Sequence, residues 1–173
     1  MHRQREIKSC FEQSTFNAQE IIPGLFLGSI TDLNTPLELE QRYITHLINV
    51  TPDNIPPSYS NLNTMTIPII NHPDENIESY FEDAHLKILD CLQKKSSILV
   101  YCNSGISGSA TIVLSFLMKY GELFHQIPKD KKLNIVTYDI AFDYVRSKRE
   151  ISPNIGFILA LNEIDFLRGH LLM

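Results

Sequence analysis

One segment, YCNSGISGSATIVLSFLMKY from Tyr101 to Tyr120, most constrains what this chain can fold into. It begins at the end of SILVY, residues 97–101, a short apolar run that is typical of a strand buried on both faces. It continues into the apolar stretch Ile112–Met118, which predicts a helix. Between them, Cys102 opens a loop of small residues and glycines. A buried strand must therefore turn tightly into a helix at a cysteine.

The composition of this loop favours the binding of an anion. Gly105 and Gly108 can adopt backbone angles that other residues avoid, and small neighbours let successive N–H groups point toward one centre. The helix N-terminus adds unsatisfied amides and the positive end of the helix dipole, which also stabilise a thiolate. We therefore expect a phosphate-like ligand and attack on phosphorus by Cys102. The expected phosphate-binding residues are Asn103, Ser104, Gly105, Ile106, Ser107 and Gly108.

Two residues of the segment also have purely structural interpretations. Cys102 can be an inert buried cysteine at the start of a core helix, because free cysteines are among the most buried residues. Tyr101, on the strand, is expected to pack against or shield the loop rather than take part in chemistry.

The rest of the chain alternates predicted strands and helices, which indicates an α/β fold with a central, mostly parallel twisted sheet flanked by helices. The phosphate-binding loop would connect one strand to the following helix. Residues 1–19 lack periodicity and are expected to be an N-terminal tail, whereas residues 20–173 are expected to form a single domain. Residues 121–135, which hold a proline among lysines, are expected to be an inserted surface loop.

Local patterns predict individual elements outside the loop. Strands are expected at Leu25–Leu27 and Ile44–Val50, and a short helix after Pro36. Apolar residues at three- and four-residue steps predict a helix over Asn76–Lys95. Two later helices are marked by their start signals, the first by Thr137 as a cap and the last by Ser152, Pro153 and Asn154, with the proline in its first turn.

Composition excludes several classes of partner. The net charge of −5 argues against nucleic acid or an anionic membrane, since both need a basic face. No stretch is apolar enough to span a bilayer, and the first residues do not resemble a signal peptide, so we expect a cytoplasmic or nuclear protein. Cys10, Cys91 and Cys102 are an odd number without metal-ligand spacing. We therefore expect no metal and no cofactor.

The loop resembles the active-site motif of cysteine-dependent protein phosphatases of the dual-specificity class, which reads His, Cys, five residues, Arg, then Ser or Thr. The resemblance makes Cys102 the nucleophile and Ser109 the hydroxyl that assists the thiolate as leaving group. It extends over roughly residues 20–168, with similar segments in the family's order. These segments are Ile21–Ser29, Ile44–Thr51, Thr66–Ala84 and Ile151–Asp165.

Three positions depart from the family's pattern. Tyr101 stands where the family has His, and Gly108 stands where it has Arg. Asn71 follows the strand that the resemblance places at Ile67–Ile70, where the family has its general-acid Asp. An amide cannot give a proton to a leaving alkoxide, and glycine cannot bind the phosphoryl oxygens as a guanidinium does. Asn154 keeps the family's pattern, in which the matching Asn braces the catalytic loop.

The resemblance therefore implies a pseudophosphatase, similar to the serine/threonine/tyrosine-interacting proteins, that binds a phosphorylated protein such as a kinase or its substrate. Those relatives change the cysteine and keep the arginine, whereas this chain does the reverse. Two alternatives stay open. A slow protein phosphatase would use Cys102 through a cysteinyl-phosphate intermediate, and a thiol switch would use oxidation of the same residue. Side chains that could substitute for the lost groups in the slow enzyme are His72, Asp74, Glu75, Arg146 and Arg149.

Overall fold

The computed structural model describes residues 15–171, so most of the expected tail, including Cys10, lies outside the described residues. Its strands are β1 Gln19–Ile22, β2 Leu25–Ser29, β3 Ile44–Asn49, β4 Asn63–Thr66 and β5 Ser97–Cys102. They form one sheet in the order β1-β2-β5-β3-β4, in which β1 is antiparallel to β2 and all other pairs are parallel. The predicted α/β fold is confirmed.

Five α-helices flank the sheet. They are α1 Pro36–Gln41, α2 Phe81–Gln93, α3 Gly108–Tyr120, α4 Tyr138–Arg146 and α5 Ile155–Leu171. Short 3-10 turns lie at Ile30–Asn34, Pro57–Tyr59, Glu78–Tyr80 and Gly121–Leu123. No helix within residues 15–171 combines the length and the apolar composition that crossing a bilayer requires.

The alternation of side chains along β5 divides the core in two. Ile98, Val100 and Cys102 belong to the larger apolar cluster, which includes the buried faces of α2 to α5. Leu99 and Tyr101 belong to the smaller cluster, which packs with α1 and β3. The central strand is therefore buried on both faces, as its continuous apolar run indicates.

The packed part of the chain begins earlier than the tail boundary at residue 19 suggests. Strand β1 begins at Gln19 and was not expected, because four residues of mixed polarity carry no clear period. Before it, Ala18 is buried, and the N–H groups of Asn17 and Ala18 donate to Oδ1 of Asp32 at 2.6 and 2.9 Å. The buried Asp32 carboxylate also accepts from the N–H of Ser29 at 2.8 Å, which ties this segment to the end of β2.

The strand expected at Ile67–Ile70 is wrong in position. Strand β4 lies at Asn63–Thr66, and its last ladder contact beyond Thr66 is from Ile67 N–H to the Asn49 carbonyl at 2.8 Å. Pro68 then removes the next donor, so the apolar run IPII leaves the sheet and packs as irregular chain.

Two helix boundaries also differ from expectation. The helix predicted over Asn76–Lys95 starts with a 3-10 turn and becomes α2 only at Phe81. The last helix begins at Ile155, so Pro153 precedes it, and Asn154 is its cap because its Oδ1 accepts from Phe157 N–H at 3.0 Å.

The segment 121–135 lies on the surface but is held at both ends. Ile127 and Val136 are buried in the larger cluster. Between them, Oδ1 of Asp130 accepts from the N–H groups of Lys132 and Leu133 at 2.9 and 2.8 Å. Beyond the segment, Thr137 caps α4 as predicted, since its side chain accepts from Ile140 N–H.

Candidate active site

Cys102 ends β5, and the chain loops through residues 103–107 to reach α3. Because β5 pairs in parallel with β2 and β3, the loop lies at the carboxyl edge of the sheet, where open α/β folds bind ligands. Gly105 adopts a φ of +70°, and a Cβ there would collide with the carbonyl of Gly28. Glycine is therefore required at this turn.

Hydrogen bonds converge on the sulfur of Cys102, a residue that is 7% exposed. Gly105 N–H donates to Sγ at 3.2 Å, and Ser109 Oγ–H donates to it at 3.0 Å. Burial acts to raise the pKa of the thiol, but the hydrogen bonds from the Ser109 side chain and from the amides of Ser109, Gly105 and Ser107 outweigh it and hold the pKa below its ordinary value. The geometry favours a thiolate.

Cys91 provides an internal comparison. It is fully buried, and burial raises its pKa to about 11. Only the cysteine of the loop has the environment of a nucleophile among the cysteines that the structure describes.

A cavity of about 270 Å³ opens above the sulfur. Its floor consists of loop residues, and its walls come from the chain after β3 and the chain after β4. The lining residues are Val50, Pro52, Ile69, Ile70, Asn71, Cys102, Asn103, Ser104, Ser107 and Gly108. None of the described residues that line it is Arg, Lys or His. The cavity therefore offers amides and a sulfur to an anion, with no cationic side chain.

Gly108 lies at the first position of α3, where its backbone is helical. Of the two loop glycines, only Gly105 uses the backbone freedom that glycine permits, because only it has a positive φ. A Cβ at Gly108 would meet Val50 Cγ1 at 3.0 Å, a contact that a small shift of that side chain relieves. The backbone would thus accept a Cβ here, and none is present.

Asn71 lies on the cavity wall and is held by two donors. Its Oδ1 accepts from Ser107 Oγ–H at 2.7 Å and from Asn154 Nδ2–H at 2.9 Å. The Ser107 hydroxyl in turn accepts from the Asn154 backbone N–H at 3.0 Å. These three side chains join the wall of the cavity, the loop and the start of α5.

Sequence reasoning missed this link, because it treated Ser107 as a backbone donor only. It also missed Gly156, where a Cβ would collide with the Pro73 carbonyl. That glycine lets the segment after Asn71 pack directly against α5. A glycine in the first turn of a predicted helix is the one signal that could have indicated such close packing.

The acidic and imidazole groups near Asn71 lie outside the cavity lining. His72 and Asp74 are exposed and contact each other, with 3.7 Å between Nδ1 and Oδ2. Oε1 of Glu75 accepts from Ile70 N–H at 3.4 Å. None of the three stands where a general acid would meet a ligand in the cavity.

Arg149 binds the back of the loop rather than its ligand face. Its Nε–H donates to the Gly105 carbonyl at 2.9 Å and its Nη2–H to the Ser104 carbonyl at 3.1 Å. Its Nη1–H donates to the Asn17 carbonyl at 2.9 Å. Because the guanidinium holds the Ser104 and Gly105 carbonyls away from the cavity, it helps the loop N–H groups to point into the cavity. Arg146 is exposed and lies over the Phe142 ring instead.

Tyr101 lies away from the cavity. It is 1% exposed and packs in the smaller apolar cluster, on the sheet face opposite Cys102. Burial raises the pKa of its hydroxyl. Tyr101 therefore packs beneath the sheet and does not contact a ligand above the sulfur.

Residues 25–165 match the catalytic domain of the dual specificity phosphatases. The chain belongs to the dual specificity phosphatase family. This confirms the family that the loop and its flanking segments resemble. Among residues 15–171, no group of three or more metal-ligating side chains is arranged to hold an ion.

Two curated phosphatases show how similar the chain is to its relatives in sequence and in length. A probable dual specificity protein phosphatase of Dictyostelium discoideum is 32% identical over 148 residues, which cover 85% of this chain and 62% of the relative. Human dual specificity protein phosphatase 7 is 35% identical over 154 residues, which cover 86% of this chain and 33% of the relative. The chain thus spans between a third and just under two thirds of these curated relatives.

A solved structure shows the same fold at similar identity. The crystal structure of the human tyrosine phosphatase-like serine/threonine/tyrosine-interacting protein has a TM-score of 0.72 and 30% identity to this chain. The match covers 89% of this chain and 99% of that one.

Proposed function

We propose that this protein is a pseudophosphatase that binds a phosphorylated protein through the cavity above Cys102 and does not hydrolyse it at a useful rate. The observation that carries the proposal is the absence of a cationic side chain among the described residues that line the cavity. Arg149, the nearest candidate, uses all three of its donor nitrogens on backbone carbonyls.

Magnitudes support this function over fast catalysis. An arginine that binds the transferring phosphoryl group is worth about 10³ to 10⁵ in rate in comparable enzymes. A positioned general acid contributes about 10² to 10⁴, and here its position holds an amide. The two factors do not multiply, because residues that act as a unit are not additive. Even the larger factor alone leaves a slow enzyme.

Binding requires less than catalysis. The loop amides, the N-terminus of α3 and the buried floor remain, and they favour a dianion without any side-chain charge. Ile70 and Ile106 are exposed near the loop and give a partner protein apolar surface to contact. The partner we propose is a protein phosphorylated on tyrosine, serine or threonine, a kinase or its substrate.

A second function, slow but genuine protein phosphatase activity, is favoured by one observation. The Ser109 hydroxyl donates to Cys102 Sγ, and the pKa of that thiol is lowered. Such a sulfur is prepared for attack and for departure.

The two functions are separated by the turnover of an aryl phosphate. We expect hydrolysis of p-nitrophenyl phosphate by the native protein to equal that of Cys102→Ser, while a phosphotyrosine peptide binds more tightly than its unphosphorylated form. Hydrolysis that exceeds Cys102→Ser by tenfold or more would establish the slow enzyme. Equal binding of the two peptides would remove the proposed binding function.

A further inference from the structure

The orientation of the Asn71 amide is determined from outside the cavity. Phe157 N–H donates to one side-chain atom of Asn154, which must therefore be the carbonyl oxygen. The other side-chain atom of Asn154 is then its NH2 group. That group donates to Asn71, so the receiving atom is Oδ1 of Asn71.

The Ser107 hydroxyl is satisfied in the same orientation, because it has both a donor and an acceptor to offer. Its oxygen already accepts from the Asn154 backbone N–H, so its own proton is free to be donated. It donates that proton to Oδ1 of Asn71 at 2.7 Å. Two donors on Oδ1 leave Nδ2 as the other end of the amide, and Nδ2 has no hydrogen-bond partner among residues 15–171. The Nδ2 donor is therefore available to a ligand.

The position of Asn71 determines which ligand atom it can meet. Cys102 and the loop amides form the floor of the cavity, whereas Asn71 is on its wall. In a bound phosphomonoester aligned for in-line attack, the ester oxygen lies opposite the sulfur and faces away from the floor. Resting on the function proposed above, we propose that Asn71 is a fixed hydrogen-bond donor to the ester oxygen of a bound phosphomonoester.

This donor changes what the cavity recognises. An amide N–H can bind the ester oxygen but does not release its proton, so the ester is held without being activated. A carboxylate at the same place would be ionised near neutral pH and would repel a dianion. The cavity should therefore prefer a phosphate ester to a group of equal charge that lacks the bridging oxygen.

The test compares two peptides that differ in one atom. One carries phosphotyrosine and the other carries phosphonomethyl-phenylalanine, in which CH2 replaces the ester oxygen. Both are titrated into the full chain at pH 8, where both groups are dianions, and mass spectrometry verifies that the phosphate remains attached. We expect the native protein to prefer the ester by about tenfold, the value of one hydrogen bond to a fixed donor.

Variants assign this preference to Asn71. Asn71→Ala should reduce the ratio of the two dissociation constants to about one. Asn61→Ala, at an exposed position away from the cavity, should leave the ratio unchanged. Thermal unfolding of each variant verifies that it is folded.

Asn154 acts as a positioning residue and gives a second test. In Asn154→Asp, a carboxylate still accepts from Phe157 N–H and so still caps α5, but it offers no donor to Asn71. The Asn71 amide should then turn its NH2 toward Asp and its oxygen toward the cavity. The added negative charge weakens the binding of both peptides. Only the loss of the preference for the ester therefore shows that the Asn71 amide has turned.

The outcomes separate this inference from the function on which it rests. If the native protein binds both peptides equally, or if Asn71→Ala or Asn154→Asp keeps the preference, the inference is overturned while phosphoprotein binding stands. If neither peptide binds, the proposed function is overturned and the inference with it.

Discussion

The floor and the wall of the cavity are built from different parts of the chain. The floor consists of a thiol, a hydroxyl and backbone amides in a loop fixed by Gly105, and every hydrogen bond to Cys102 Sγ comes from within that loop or the first turn of α3. Under the proposed function, the charged groups that the resemblance places around this floor are missing. Gly108 has no side chain, and Asn71 carries an amide.

Under the proposed function, this difference means that binding and catalysis at the site are separable. Backbone amides can bind a dianion and support a thiolate, because their direction is set by the fold. Charge that develops during phosphoryl transfer needs side chains at two particular positions. A chain can therefore lose the second task and keep the first without disturbing the loop.

Introducing an arginine at position 108 and an aspartate at position 71 should give the cavity the two charged side chains that it lacks. We expect Gly108→Arg with Asn71→Asp to raise hydrolysis of p-nitrophenyl phosphate by about 10³ or more, because the floor is already in place. The gain should vanish when Cys102→Ser is added. Steady-state kinetics measure both results.

The matched control for this revertant is Gly169→Arg with Asn61→Asp. It makes the same chemical changes where a Cβ meets nothing within 4 Å and where the side chain is exposed. A folded revertant no faster than this control would show that the floor itself is defective.

Removing the Arg149 guanidinium, which lies behind the loop, should destabilise the floor of the cavity without changing its wall. Arg149→Ala leaves three carbonyls without their donors, and we expect it to lower the free energy of unfolding by about 3 kcal/mol in urea titrations. Arg146→Ala, nearby and exposed, should change it by about 0.5 kcal/mol or less. Equal effects of the two substitutions would mean that the hydrogen bonds of Arg149 to the loop contribute nothing to the free energy of unfolding.

A histidine of α2 that is hydrogen-bonded to α3 sets an acid limit for all such measurements. His85 is buried, its Nε2 bonds to Ser115 Oγ at 2.8 Å, and burial lowers its pKa to about 3. In the unfolded chain His85 binds a proton near pH 6.5, whereas in the folded chain it stays neutral at that pH. The free energy of unfolding therefore falls as the pH is lowered. Between pH 7 and pH 5 the loss should be about 2 kcal/mol.

Urea titrations at several pH values measure this dependence. His85→Gln should show a smaller loss on acidification than the native protein. His125→Gln, at an exposed position, should keep the native slope. A native-like slope in His85→Gln would assign the acid sensitivity to other groups.

The smallest expected change concerns the sulfur. Ser109→Ala removes the side-chain hydrogen bond that lowers the pKa of Cys102, so alkylation of that residue should require higher pH. Mass spectrometry of iodoacetamide-treated protein measures it at Cys102 alone. Ser58→Ala, exposed and distant from the sulfur, is the control, and coincident profiles would show that the hydroxyl does not affect the thiol.

The sequence predicted those parts of the fold that have a strong period or a local signal. Strand β5, the cap at Thr137 and the loop itself follow from continuous apolar residues, a capping residue and glycine. Strand β1 did not, because four residues pair only through tertiary contact with β2. The position of β4 was missed because an apolar run containing Pro68 resembles a strand more than NTMT does.

At the site, local positions were predictable from the residues, whereas the one long-range contact that was expected, from Asn154 to the loop, came from the resemblance to the family. Cys102 and Ser109 flank one short loop, and this spacing already brings them together. The contacts of Asn71 with Ser107 and Asn154 join residues 36 and 83 positions apart, and nothing in the local pattern indicates them. The same holds for Arg149, whose targets are backbone atoms and leave no mark in the residue sequence.

The ordinary helical backbone at Gly108 has an evolutionary consequence. Every glycine codon becomes an arginine codon through a single nucleotide change, and asparagine is likewise one base from aspartate. Since only a small movement of Val50 is needed to admit a Cβ, the first atom of an arginine side chain would meet no backbone clash at this position. Under the proposed function, the backbone at Gly108 therefore does not by itself exclude a return to hydrolysis.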